Sequence, residues 1–281
     1  GCDVTIAEML DRLLPQEDKE ISSRAQKILE DDGVKVLTGF RVIEVKDDDL
    51  SVKVKLSNGK SLEAEKVIIS IGRKPNTQDI GIENVGVKLN ELGMIIVNDK
   101  METSVKGIYA IGDVTGGRYA HEAMENGIVA AENAMKLNSS MKNQMIPRCI
   151  YTIPEVACIG LTEDEAKKKH NVIIGKFYFK ASGRAMTLGD TNGFVKVIID
   201  KKSKKFLGMH MINERASDMI GEGLLAMKYL KADDVINTIH PHPTLVEAIR
   251  EAVRDAYGTS IHSLNQNKRH SSKSLKHYVK D

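Results

Sequence analysis

The order of apolar and polar segments predicts an α/β region followed by an α+β domain, and three observations carry that reading. The run Lys66-Val67-Ile68-Ile69-Ser70-Ile71 is almost wholly apolar, the composition of a parallel strand covered on both faces. Beyond the polar stretch 138–144 the pattern changes: strand-like segments near 173–180, 193–200 and 205–212 follow one another, and helical periodicity appears near 216–229 and 244–257. Adjacent strands followed by helices imply an antiparallel sheet with helices packed on one face. The length of 281 residues suits about two domains.

Taken in order, Asp3 to Ala7 reads as a short buried strand closed by Glu8. Ile21, Ala25, Ile28 and Leu29 fall at helical spacing, so a helix is predicted from about Glu17 to Glu30, and Gly33 stops it. Val34 to Val45 and Ser51 to Leu56 read as extended. Ser57-Asn58-Gly59-Lys60 is a two-residue hairpin turn, because Asn-Gly tolerates positive φ at both central positions. Met94 to Val97 and Gly107 to Ile111 are further strands, and a helix is expected from about Glu122 to Leu137. A second block begins near Ile71 and the polar stretch Asn138 to Gln144 reads as an internal linker, so the chain falls into segments 1–70, 71–144 and 145–262. A Ser-, Asn-, Lys- and His-rich tail, 263–281, is expected to be disordered; a basic arm for an anionic surface is the alternative.

Bulk properties exclude several classes. A net charge of +2, 28% charged residues, 4% aromatics and no tryptophan describe a soluble globular chain with no platform for nucleic acid. No apolar run approaches the roughly 20 residues that span a bilayer. Cys2, Cys149 and Cys158 are too few and too scattered for a disulfide framework or a paired zinc site, so a reducing, cytoplasmic setting with packing thiols is expected.

Two motifs carry chemistry. In His240-Pro241-His242-Pro243-Thr244-Leu245-Val246-Glu247 an imidazole and a carboxylate stand five residues apart across a helix start. Glu247 can fix the tautomer of His242 and leave the other ring nitrogen as a general base near neutral pH. Thr244 and Glu247 also satisfy the capping-box pattern, so the octapeptide alone leaves capping and catalysis open. The segment 103–113 is more specific: an apolar strand delivers Asp113 at its C-terminal end, the edge where parallel sheets bind ligands, and Gly112 permits close approach to the backbone.

The eleven-residue pattern ending at Asp113 resembles the second flavin-contacting motif of FAD-dependent disulfide reductases. With Gly72-Arg73-Lys74-Pro75-Asn76 before it and His242/Glu247 after it, the chain resembles the pyridine nucleotide-disulfide oxidoreductase family up to about His262. Ile150-Tyr151-Thr152-Ile153-Pro154-Glu155-Val156-Ala157 and Gly160-Leu161-Thr162-Glu163 resemble the start of its dimer-interface domain.

The resemblance implies a truncated NAD-binding domain over 1–70, the C-terminal part of an FAD-binding domain over 71–144 and a dimerisation domain over 145–262. It implies oxidation of a dihydrolipoyl dithiol, with electrons passing through a disulfide and FAD to NAD. His242 and Glu247 would be the acid/base pair, acting in a homodimer that serves lipoyl domains of 2-oxo acid dehydrogenase or glycine cleavage complexes. Asp113, Gly112, Ala120 and His121 would contact FAD, a structural role for His121 being the equal alternative; Glu8, as a ribose-binding acid, Val45 and Gly72 would contact NAD. No metal is implied. Only seven residues precede Glu8, so the pyrophosphate loop about 20 residues before it falls outside the chain, as does a redox pair of cysteines about five apart. Such a chain is expected to hold FAD weakly or not at all and to be inactive alone. The alternatives are a non-catalytic dimerisation fragment, or a member that reduces glutathione or mercuric ion.

Overall fold

A computed structural model describes residues 1–48 and 50–263. The chain forms two compact units: Gly1–Lys66 together with residues from Pro147 onward, and Val67–Ile146. The first unit opens with strand β1 (Thr5–Glu8), helix α1 (Lys19–Asp31) and strand β2 (Lys35–Thr38), and β1 pairs with β2 in parallel. Asp18 caps α1 by accepting the Glu20 amide at 3.0 Å, and Ile21, Ala25 and Ile28 form its buried stripe. Strands β3 (Val42–Asp47), β4 (Val52–Leu56) and β5 (Ser61–Ala64) make a three-stranded antiparallel meander. The predicted two-residue turn is instead a three-residue loop: Leu56 N–H donates to Lys60 O at 2.9 Å, and positive φ (82°) falls on Gly59 but not on Asn58. Asn58 contributes its side chain, which accepts the Lys60 amide, and that bond favours the type I turn followed by a left-handed glycine.

The second unit holds the one-turn helix α2 (Ile82–Val85), a 3-10 turn at Gly112–Thr115 and helix α3 (Ala120–Ala134). Its core is Met101, Val129 and Ala130, with Val97, Tyr109 and Met141 against them. Three expectations fail here. Met94–Val97 and Gly107–Ile111 form only isolated bridges, Leu89 with Ile95, Val97 with Thr103 and Glu102 with Tyr109, because each meets its partner at a single residue. The apolar run at 66–71 joins no strand among the described residues, and Ile68, Ile69 and Ile71 are exposed. A run covered on both faces needs neighbouring strands and helices to cover it, and the described residues provide none. The stretch 138–144 is not loose either: the Met141 amide donates to Asp99 O, and Asn133 donates to Ser139 O.

The rest of the first unit is a five-stranded antiparallel sheet in the order β6-β7-β10-β9-β8. Its strands are β6 (Arg148–Ile150), β7 (Glu155–Gly160), β8 (Val172–Tyr178), β9 (Phe194–Asp200) and β10 (Phe206–Asn213). The helices interspersed with and following them are α4 (Glu163–Lys169), α5 (Gly183–Leu188), α6 (Ala216–Tyr229), α7 (Ala232–Asn237) and α8 (Glu247–Ala256). Cross-strand partners share a face, so the register sorts the side chains. Ile159, Met209, Val197 and Gly175 are cross-strand neighbours on the face that α6 and α8 cover. Val156, Cys158, Phe194 and Ile212 have the opposite parity and pack against Ile21, Ala25 and Ile28 of α1. Helices on one face were expected; the sheet is in fact covered on both, the second cover coming from the N-terminal segment.

That second face carries charge as well as apolar contact. Lys196, 1% exposed, donates to Asp18 at 2.8 Å, Glu20 at 3.0 Å and Glu163 at 2.6 Å. Asp18, also 1% exposed, further accepts the Glu163 amide at 3.0 Å, so one carboxylate joins the start of α1, the start of α4 and the middle of β9. Arg148 adds a bidentate pair to Glu17.

Candidate functional site

The octapeptide 240–247 lies between α7 and α8 and ends on the first residue of α8. The His242 Nδ1–H donates to Glu247, with Nδ1 2.9 Å from Oε1 and 3.2 Å from Oε2. A carboxylate can only accept, so Nδ1 carries a proton, and in the neutral ring it is Nε2 that presents the lone pair. The His242 side chain is 70% exposed while Glu247 is 24% exposed, which leaves the imidazole open and the carboxylate that holds it sheltered. Partial burial acts to raise the Glu247 carboxyl, but the Thr244 amide at 2.8 Å and the His242 ring hold it below the ordinary range. Glu247 therefore stays anionic at neutral pH and keeps its grip on the imidazole.

Glu247 serves two contacts in one geometry. Glu247 takes the backbone amide of Thr244, as a capping box requires, and His242 as well. The Thr244 hydroxyl does not cap the helix; it donates to Pro241 O at 2.8 Å and tightens the loop. Sequence reasoning missed Glu222. From α6 it accepts His240 Nε2 at 2.8 Å, and His240 Nδ1 lies 3.1 Å from Thr238 O, which ties the loop to a second helix. Eighteen residues separate Glu222 from His240, so no local motif marks the pair.

The other candidates fall on several elements. Within the second unit, Gly112 opens the 3-10 turn with φ 71°, and a Cβ there would meet the Ala123 Cβ at 3.3 Å. Asp113 follows it and is exposed, as are Ala120 and His121 in the first turn of α3. His121 stacks on Tyr119, with ring centroids 5.3 Å apart. Tyr119 stands at the N-cap of α3 in extended conformation, and Glu122 in the first turn accepts the Arg118 amide at 3.1 Å. Gly72, with φ 121°, lies in the irregular segment after the exposed apolar run. In the first unit Glu8 ends β1, and its carboxylate accepts the Leu10 amide at 2.8 Å. Val45 sits on β3, a different sheet from Glu8, so the structure does not bring these two side by side as a strand pair.

Profiles of the pyridine nucleotide-disulphide oxidoreductase family match residues 1–136, and its dimerisation-domain profile matches 146–253. The chain belongs to the pyridine nucleotide-disulfide oxidoreductase family. This oxidoreductase-family chain is 43% identical over 274 residues to the dihydrolipoyl dehydrogenase of Thermus scotoductus, a match covering 95% of the chain and 59% of the relative. Its identity to the dihydrolipoyl dehydrogenase of Bacillus subtilis is 45% over 273 residues, 93% of the chain and 57% of the relative. Among solved structures, LpdA of Mycobacterium tuberculosis superposes with a TM-score of 0.84 at 25% identity, covering 90% of this chain and 56% of that one. The HOCl-induced flavoprotein disulfide reductase RclA of Escherichia coli does so with a TM-score of 0.85 at 26% identity, covering 90% and 59%. The chain thus spans less than 60% of the curated relatives it matches. Among the described residues no helix is long and apolar enough to cross a membrane.

Proposed function

We propose that the chain supplies the acid/base pair and the dimer interface of a dihydrolipoyl dehydrogenase, a flavoprotein that oxidises a protein-bound dihydrolipoyl group and passes the electrons to NAD. The observation that carries this reading is the His242–Glu247 contact, which orients an exposed imidazole with Nε2 free to take a proton. His242 would accept the thiol proton of the dithiol as that thiol attacks the redox disulfide of the partner subunit; Glu247 steadies the imidazolium that results. The substrate would reach the site on a lipoyl domain of a 2-oxo acid dehydrogenase or glycine cleavage complex. The free cysteines fit a reducing cytoplasmic setting.

The residues fit the two cofactors that the family uses. Gly112 has positive φ and would crowd Ala123 if it carried a side chain, Asp113 offers an exposed carboxylate to polyol hydroxyls, and α3 directs the positive end of its dipole out from Ala120. Glu8, at the C-terminal end of a strand in a parallel pair, suits the hydroxyls of an adenine ribose and disfavours a 2′-phosphate, hence NAD over NADP. Val45 and Gly72 would make lesser contacts with NAD. FAD, when bound, supplies the electron relay between the dithiol pair and the nicotinamide.

A chimera tests the assignment. Fused behind the N-terminal part of the B. subtilis relative, this chain should give a flavin-loaded enzyme that reduces lipoamide with NADH, and His242→Gln should lower kcat by about 10²- to 10⁴-fold. Full turnover in a flavin-loaded His242→Gln chimera would remove the base from His242. The interface makes a separate claim: the chain itself should sediment as a dimer at micromolar concentration, and a monomer at every concentration up to the high micromolar range would contradict a homodimer.

A further inference from the structure

We propose that Glu17, Cys158 and His210 form a zinc site, buried between the segment leading into α1 and the antiparallel sheet. One donor atom from each of the three lies within 4.8 Å of the other two, and all three residues are buried. His210 and Cys158 are directly paired across β10 and β7, and both point to the face that α1 covers. Glu17 comes from that covering segment, next to the cap residue Asp18.

The second observation is an orphaned lone pair. His210 Nε2 lies 2.9 Å from Leu161 O and must carry the proton to bond it, so Nδ1 is the nitrogen left to accept. Nδ1 has no hydrogen-bond partner, although it is fully enclosed. A buried polar atom without a partner is uncommon and costs about 1–3 kcal/mol.

The surroundings also match what a metal ligand set requires. A ligating histidine donates its other ring N–H to a carbonyl or carboxylate, as His210 does to Leu161. A ligating carboxylate is itself held by hydrogen bonds; Glu17 accepts Arg148 Nε and Nη2, both at 2.9 Å. A sulfur, a nitrogen and an oxygen donor together suit Zn²⁺ and disfavour Mg²⁺ or Ca²⁺, which take oxygen alone. Tetrahedral bonds of the usual lengths place donors about 3.4–3.6 Å apart, so donors that already lie within 4.8 Å of one another close by at most about 1.4 Å around the ion. Burial raises the Cys158 thiol well above its ordinary range, so the site without metal holds a thiol. When Zn²⁺ enters, the Sγ–Zn bond forms as that thiol releases its proton to solvent, with no change of oxidation state.

Cobalt(II), which reports thiolate ligation by a near-ultraviolet charge-transfer band, is the probe. Purified and metal-stripped, the 281-residue chain should bind one Co²⁺ with that band, and Zn²⁺ should displace it. Cys158→Ser should abolish the band, whereas the double variant Cys2→Ser/Cys149→Ser should keep it. Should Cys158→Ser fail to fold, Glu17→Gln serves in its place, with affinity for Co²⁺ expected to fall by about 10- to 100-fold. No binding of either ion at micromolar concentration, a band that survives Cys158→Ser, or unchanged affinity in Glu17→Gln would each overturn the site.

Discussion

Lys196→Ala is expected to lower the free energy of unfolding by about 3–5 kcal/mol, the cost of leaving one partner of a buried charge network behind. The ammonium is the shared donor to Asp18, Glu20 and Glu163, and Asp18 is as buried as Lys196 itself. Removing the cation leaves the Asp18 carboxylate with only the backbone amides of Glu20 and Glu163. Urea unfolding measures the loss, and a value under about 1 kcal/mol would show that water reaches Asp18 freely. A second comparison separates charge from packing: Lys196→Met with Asp18→Asn should recover much of the loss, because neither side chain is then left as an unpaired ion.

The same network fixes a pH dependence. Burial works to raise Asp18, yet the bond to Lys196 and the Glu163 amide outweigh it and the carboxyl lies below its ordinary 3.8; Glu163, for similar reasons, lies below 4.5. Groups with depressed native pKa values contribute stability that is complete above those ordinary values and is lost as the pH falls through the native ones. Lys196 is shifted upwards, mainly by bonds to these carboxylates acting against burial, so its share is complete below 10.5 and is lost only in strong alkali. The unaltered chain should therefore lose stability steeply below about pH 4. Lys196→Ala should flatten that acid limb.

Gly175→Ala is the second large effect, and it reaches the candidate site. A Cβ on Gly175 would lie 2.0 Å from Ala252 O and 2.5 Å from Ala256 N, both backbone atoms of α8. Helix and strand cannot keep their present separation, and overpacking of this kind costs about 1–3 kcal/mol. Because α8 begins at Glu247, its displacement should also loosen the bond to His242 Nδ1. Long-range ¹H–¹⁵N spectra of the imidazole should then show a mixture of tautomers in place of the single Nδ1–H form. Unchanged spectra with lowered stability would mean that α8 yields at its C-terminal end alone.

How much of this was legible in the sequence depends on the range of the interaction concerned. The strands near 173–180, 193–200 and 205–212 each lie within two residues of β8, β9 and β10 at either end, because alternation and neighbouring turns are local. The His242–Glu247 contact was legible for the same reason, five residues being one reach across a helix start. The apolar run 66–71 misled because burial belongs to a strand's neighbours rather than to its own side chains. Long-range partners left no trace: Glu222 for His240, Asp18 for Lys196 and Glu17 for Arg148 each come from another element. Gly175 was equally silent, since only the packed helix shows why a methyl group has no room.

The placement of α1 on the antiparallel sheet bears on how the chain is made. More than 120 residues separate α1 from β7, and β10 comes later still. During synthesis the Ile21-Ala25-Ile28 stripe therefore leaves the ribosome before the antiparallel sheet that covers it exists, and that sheet is complete only once β10 has followed. Contacts of such long sequence separation form slowly, because the loop-closure entropy is spent before any of them is gained. A domain excised at residue 146 for separate study would face the mirror problem: Val156, Cys158, Phe194 and Ile212 would meet solvent, and the isolated sheet would be drawn to any apolar surface nearby.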